Sequence, residues 1–212
     1  PFGGNAKEAV SVVESINRAS KQWNIVGFID DNTNLKGEVF ANYKVLGGRE
    51  ELLNYPDVKI LAVPGSPQNY LSRNRVIDLL KLNNNRFVTL IDPSVYIGEE
   101  VKIGYNTLIM PGVVITANVS IGNHCLILPN SVISHDSNVE DYSMIGSNVS
   151  ISGSVNIKKQ SYIGTGAKII NDIDIAEKTL VGLGSIVIKP TNKGDIVAGN
   201  PARLIRNHNL ED

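Results

Sequence analysis

The chain has 212 residues, 42% of them hydrophobic and 19% charged, with a net charge of −1. That composition belongs to a globular protein with ample core for one large or two small domains. It lacks the basic excess that nucleic acid or an anionic membrane selects, and no apolar run is long enough to span a bilayer. Aromatic residues are only 6%, so the core must be mainly aliphatic. The lone Cys125 cannot form an internal disulfide, which fits a reducing, cytoplasmic setting, and a small buried role suits it better than that of a nucleophile.

Residues 1–90 alternate strand and helix signals. The chain opens at Pro1 in a loop, where a short first strand is expected to be missing. Phe2-Gly3-Gly4-Asn5-Ala6-Lys7 reads as a Gly-rich turn entering a helix that runs to about Ala19. Asn24 to Asp31 reads as a buried strand ending in the carboxylates Asp30 and Asp31, and Val58 to Val63 as another, followed by a turn at Pro64-Gly65. A helix is expected from about Gln68 to Leu82, then a last strand from Arg86 to Ile91. The alternation predicts a small parallel α/β domain of Rossmann-like type, in which ligands sit beyond the carboxyl ends of the strands. Gly3, Gly4, Asp30, Asp31 and Gly65 all lie at such ends. Backbone N–H groups at a helix start suit phosphate, but without a full GxGxxG these glycines also read as ordinary turn punctuation.

From Ile91 to Val187 every sixth residue is Ile or Val, seventeen positions without a slip. Four residues after each stands a small residue or Val, Ile173 excepted, and Cys125 occupies one of these sites. Gly follows the anchor at 98, 104, 122, 146, 164 and 182, where it is expected to relieve the backbone at a corner. Period six matches neither a helix nor an antiparallel hairpin rhythm. It predicts a left-handed parallel β-helix of hexapeptide repeats over 91–212, with a C-terminal tail, in which three hexads close a triangular coil and coils stack. Residues 18 apart then lie in one column, about 4.8 Å from each other.

Among residues that do not serve this geometry, Ser134-His135-Asp136 is the best candidate for chemistry. His135 should point outward, and a neighbouring carboxylate holds an imidazole in one tautomer and makes it more basic. The plain alternative is a solvated surface pair. One coil beyond His135 lies Gly153, whose bare backbone N–H could face an oxyanion or could simply serve the corner, and Asn171 and Lys189 continue the column. The other histidines, His124 and His208, do not converge with His135, so no zinc site is expected.

The Gly3-Gly4-Asn5 loop, Asp30-Asp31, Ser134-His135-Asp136, the hexads and the closing Gly199-Asn200-Pro201-Ala202-Arg203 together resemble the bacterial hexapeptide-repeat sugar acetyltransferases. The nearest likeness is to the N-acetyltransferases of nucleotide-linked 4-amino sugars, of bacillosamine and perosamine type, with the sialic-acid O-acetyltransferases similar. The resemblance implies that His135 is the general base, Asp136 tunes it, and Gly153 donates to the thioester oxygen. It implies a sugar-nucleotide site at Gly3, Gly4, Asn5, Asp30, Asp31, Gly65 and Arg73. It implies an acetyl-CoA groove along Met144, Thr165 and Leu183, no metal, and a homotrimer with the cofactor between neighbouring β-helices. The activity expected is acetyl transfer from acetyl-CoA to the 4-amino group of an NDP-linked, UDP by preference, 4-amino-4,6-dideoxy sugar. Two alternatives remain at this level: O-acetylation of a sugar hydroxyl, and a non-catalytic nucleotide-sugar-binding β-helix.

Overall fold

The computed structural model describes residues 2–208; the expected loop at Pro1 lies outside them. Helix α1 (Gly4–Ala19) forms because Ala9, Val10, Val12, Val13 and Ile16 fall on one face, which is buried. Asn17 ends it: its amide oxygen takes the N–H groups of Gln22 and Trp23, and its Nδ2 donates to the Trp23 carbonyl. Strand β1 (Phe28–Ile29) lies parallel to β3 (Tyr43–Gly47), which pairs antiparallel with β2 (Val39–Phe40). Among the described residues, the segment 58–63 pairs only in the isolated parallel Ile60–Phe87 bridge and is not part of this sheet. Of the two long strands expected at 24–31 and 58–63, the first is reduced to Phe28–Ile29 and the second to one isolated bridge at Ile60.

The helix expected over 68–82 is shorter. Asn69 first binds the N–H and hydroxyl of Ser66 and holds a turn, α2 covers only Arg73–Asp78, and Lys81 at φ 49° stops any continuation.

From Leu90 onward, two-residue strands recur every six residues in three parallel sheets, with neighbours 18 apart, as in Leu126↔Met144, Val132↔Ser150 and Asn138↔Asn156. This is the left-handed parallel β-helix, a prism with an eight-, a six- and a five-stranded face among the described residues. The anchors from Ile109 to Val187 and nearly all the residues four on from them, Cys125 included, point inward and are buried. Buried serine hydroxyls bond into the next coil: Ser131 Oγ donates to Gly146 O at 2.6 Å and Ser137 Oγ to Ser152 O at 3.0 Å.

The corner glycines serve closeness rather than torsion. A Cβ on Gly146 would stand 2.5 Å from the Thr165 nitrogen in the next coil. The left-handed torsions fall two residues later, at Asn118, His124, Asn130, Asp136, Tyr142, Asn148 and their equivalents. A hairpin, Asp195–Gly199 against Ala202–Asn207, extends the eight-stranded face and closes the end of the prism.

The N-terminal half rests on that same face. Leu90, Leu108, Leu126, Met144 and Tyr162 project from it and form one buried cluster with Ala9, Val12, Val13, Ile16, Val63 and Tyr70. Each such side chain, fully buried, contributes about 1.5–3 kcal/mol. Polar ties fix the register. The Asn106 amide meets both the N–H (2.7 Å) and the C=O (3.0 Å) of Ala62, and Tyr70 Oη donates to Lys178 O at 2.8 Å. Among the described residues no helix is long and apolar enough to cross a membrane.

Candidate active site

His135 stands on the corner between the six- and five-stranded faces, with its side chain 64% exposed. Its Nδ1 lies 2.8 Å from Asp136 Oδ2. The other carboxylate oxygen accepts from Asn118 Nδ2 at 2.7 Å. Asn118 precedes Asp136 by one coil, so the column arithmetic that singled out Gly153 also reaches it, although the sequence reading passed over it. The hydrogen bond from Asn118, then that from His135, hold the Asp136 carboxyl below the usual carboxylate range. An ionised carboxylate on Nδ1 fixes that nitrogen as the donor and turns the lone pair of Nε2 to solvent, the form that accepts a proton.

Gly153 is pressed against the imidazole: an added Cβ would lie 2.5 Å from Cε1 and 2.6 Å from Nε2. Its carbonyl takes the Asp172 N–H at 3.1 Å, and among the described residues its own N–H has no acceptor. The corner therefore presents a base and a bare donor side by side. Further up the column Asn171 bonds to Asp172, and Lys189 is exposed.

The Gly-rich turn is at the other side of the molecule, over the carboxyl ends of the two extended segments. Gly3 caps α1 with no side-chain cap, and space is open around both Gly3 and Gly4. Unbonded N–H groups in the first turn of a 16-residue helix form an anion-binding end. Asn5 bridges the carbonyls of Val63 (3.2 Å) and Gly65 (3.0 Å). Asp30 accepts from the N–H of Phe2 (2.7 Å) and of Asn32 (2.9 Å), and Asp31 is held by Arg49 at 2.6 Å. Asp30 thus braces the turn, and Arg49, which the sequence reading missed, places a half-exposed guanidinium on the adjoining Asp31. Gly65, at φ 131°, is forced by contact: a Cβ would sit 2.8 Å from Met144 Sδ.

Two expected site residues are buried in the structure. Arg73 is 1% exposed, and its guanidinium donates to the carbonyls of Tyr142 (3.2 Å), Pro64 and His124 (2.6 Å). Burial lowers its pKa to about 10, so it stays charged, and its carbonyl partners make it a strap between the two halves. Met144 is 3% exposed because it projects from the covered eight-stranded face, so it does not line an open groove. Thr165 and Leu183, in contrast, are exposed and stacked one coil apart on the corner between the eight- and six-stranded faces.

His124 is a structural residue. It stacks on Tyr142 at 4.7 Å, its Nδ1 accepts from Asn106 at 2.7 Å, and burial pushes its pKa down to about 4. Burial raises the Cys125 thiol to about 12, which removes it as a nucleophile. Among the described residues no cluster of three His, Cys, Asp or Glu side chains could hold a metal.

Residues 87–194 match the model of the GMPPB C-terminal domain, slightly more than half of the chain. The chain belongs to the GMPPB C-terminal domain family. Ahead of that region, residues 2–65 match the PglD N-terminal domain. This member of the family therefore joins the two halves in the order found in the hexapeptide-repeat sugar acetyltransferase group, the group its sequence resembles. Solved structures agree in fold across both halves. WeeI from Acinetobacter baumannii is 26% identical, with 97% of each chain covered and a TM-score of 0.80. PerB from Caulobacter crescentus, in complex with CoA and GDP-perosamine, is 22% identical, covers 96% of this chain and 94% of its own, and has a TM-score of 0.83. The acetyltransferase domain of PglB from Neisseria gonorrhoeae, in complex with acetyl coenzyme A, is 23% identical, with 95% and 96% covered and a TM-score of 0.75. Curated proteins return no match.

Proposed function

We propose that this protein transfers the acetyl group of acetyl-CoA to the 4-amino group of an NDP-linked 4-amino-4,6-dideoxy sugar, UDP-linked by preference. The observation that carries the reading is the Asn118–Asp136–His135 chain, ending in a free Nε2 beside the bare N–H of Gly153. Support for the substrate class comes from PerB and the PglB domain, which share the fold and were captured with CoA and GDP-perosamine and with acetyl coenzyme A.

The chemistry follows from that corner. The sugar amine attacks the thioester carbonyl carbon and a C–N bond forms. His135 Nε2 takes the proton that the nitrogen loses, and Asp136 stabilises the imidazolium. The Gly153 N–H donates to the oxyanion. The C–S bond then breaks, and the thiolate recovers the proton from His135.

In this reading residues 1–90 hold the nucleotide sugar through Gly3, Gly4, Asn5, Asp30, Asp31 and Gly65, and residues 91–212 supply the acyl-transfer corner. Thr165 and Leu183 offer an exposed ridge, partly apolar, for an extended acyl carrier. Within one chain these three parts lie on different sides of the prism: the N-terminal half covers the eight-stranded face, His135 has another corner and Leu183 a third position. A homotrimer that sets one copy's His135 corner against the next copy's ridge and Gly-rich turn would unite them.

Release of free CoA thiol, followed with UDP- and GDP-linked 4-amino sugars and with hydroxyl acceptors such as sialic acid, tests the proposal. His135→Ala should lower turnover by at least about 100-fold with the melting temperature unchanged. Near-normal turnover in that variant, or transfer to hydroxyl acceptors alone, overturns it.

A further inference from the structure

Lys7 stands one turn into α1, where its N–H binds the Gly3 carbonyl at 3.1 Å. Helix side chains lean toward the N-terminus, so its half-buried stem runs back over the Gly-rich turn rather than up the helix. The ammonium ends 4.2 Å from the ring centre of Phe2 and 5.6 Å from that of Phe40 in β2. Phe2 is fixed in its turn by an edge contact with the buried Phe28, 5.1 Å between ring centres, and by its N–H to Asp30.

What this ammonium lacks is an acceptor. It carries three donors, and among the described residues Nζ makes neither a hydrogen bond nor an ion pair. The helix positions that face Lys7 are Gly3, Gly4, Val10 and Ser11, none of them acidic. Carboxylates of this end are committed elsewhere. Asp30 accepts from the N–H groups of Phe2 and Asn32, Asp31 holds Arg49, and Glu14 takes the Tyr43 hydroxyl at 2.8 Å. Aromatic faces hold a cation more weakly, at a solvent-open site, than a charge-assisted hydrogen bond to phosphate does.

The charge balance of the turn points the same way. A sugar-linked diphosphate carries a negative charge on each phosphate, whereas a helix end offers only about half a unit of positive charge. Arg49 is already neutralised by Asp31. The turn alone is therefore short of positive charge for such a ligand, and the lysine that leans over it is unspent.

We propose that Lys7 is the movable countercharge of the diphosphate in a bound nucleotide sugar. Its ammonium leaves the Phe2 and Phe40 rings by rotation about side-chain bonds and closes on a phosphate oxygen, while the N–H groups at the start of α1 hold the others. This role rests on the nucleotide-sugar reading of the Gly-rich turn.

Isothermal titration with UDP and GDP, and with uridine and guanosine as phosphate-free probes, tests it on the parent chain, Lys7→Met and Lys7→Arg. Methionine keeps an apolar stem on both rings, so the melting temperature should stay within about 2 °C. Affinity for both nucleoside diphosphates should fall at least about tenfold in Lys7→Met, while affinity for the nucleosides stays within about twofold. Lys7→Arg should recover most of the loss, and added salt should weaken UDP binding less in Lys7→Met than in the parent chain. Equal loss of nucleoside and nucleoside diphosphate would make Lys7 a structural clamp and overturns the proposal, as does unchanged UDP and GDP affinity in Lys7→Met. If the parent chain binds neither UDP nor GDP, the nucleotide-sugar reading falls together with this one. If it binds and acetylates a nucleotide sugar while Lys7→Met binds as tightly, only the role of Lys7 falls.

Discussion

A Cβ placed on Gly153 would stand 2.5 Å from Cε1 of His135, one coil away, so the imidazole keeps its position only because residue 153 has no side chain. Gly153→Ala should push the exposed ring off its place and away from the bare N–H. Turnover should fall at least about tenfold while the melting temperature moves little, because the ring is free to swing into solvent. Steady-state acetyl transfer beside a thermal melt checks this; full activity in the variant would show that contact between the two residues is incidental.

Asn118 holds the second oxygen of the carboxylate that orients His135. Asn118→Ala should let the Asp136 pKa rise and loosen the ring, with turnover lowered about tenfold. Asn118→Asp, which places like charges together, should be worse than Ala. A pH–kcat profile identical to that of the parent protein removes Asn118 from the positioning role.

Arg73 ties three carbonyls from both halves of the chain in a buried setting. Arg73→Met removes the charge but strands those acceptors, so stability should drop by about 3 kcal/mol or more. At temperatures where the variant is folded, KM for the nucleotide sugar should stay within about twofold, since binding runs through the Gly-rich turn. Denaturant titration and KM together separate this from a direct ligand role, which would raise KM while leaving stability intact.

His124 titrates near 6.5 in an unfolded chain but, buried, only near 4 in the folded one. Between those values the unfolded state binds more protons, so stability is complete above about pH 6.5 and is lost as pH falls toward 4. Each pH step of one between these two values is worth about 1.4 kcal/mol, and partial screening by solvent at the ring's edge brings the loss to about 2–3 kcal/mol. Urea midpoints measured from pH 7.5 to 4 should show this decline, and His124→Asn should flatten it. An equally steep decline in that variant assigns the acid sensitivity elsewhere.

Much of the site was legible in the sequence, and what was missed has identifiable signals. The six-residue period placed His135 outward and Gly153 above it, because a column in a stacked coil is an arithmetic consequence of eighteen residues per turn. The same arithmetic leads from Asp136 back to Asn118, a step the reading omitted. The burial of Met144 was not foreseen because the residue before each anchor was not compared between faces. On the covered face it is Leu90, Leu108, Leu126, Met144, Tyr162 and Leu180, whereas on the five-stranded face it is Lys102, Ser120, Asn138, Asn156 and Asp174. One uniformly apolar outer row announces a face that another part of the chain must cover. Arg73 carried no local signal, since a basic residue in an amphipathic helix reads as exposed until its three carbonyl partners, 51 and 69 residues away for two of them, are brought to it.

The sequence alone determined the β-helix, its register, and the His-Asp corner with a glycine beside it. These follow from local spacing, where each coil repeats the hydrogen bonds of the last and side-chain direction is set by position in the hexad. Only the tertiary structure decided which face the N-terminal half covers and that Arg73 and Met144 belong to that contact. Those features depend on contacts between residues far apart in the chain, and their energetics come from burial and from partners that no local pattern encodes.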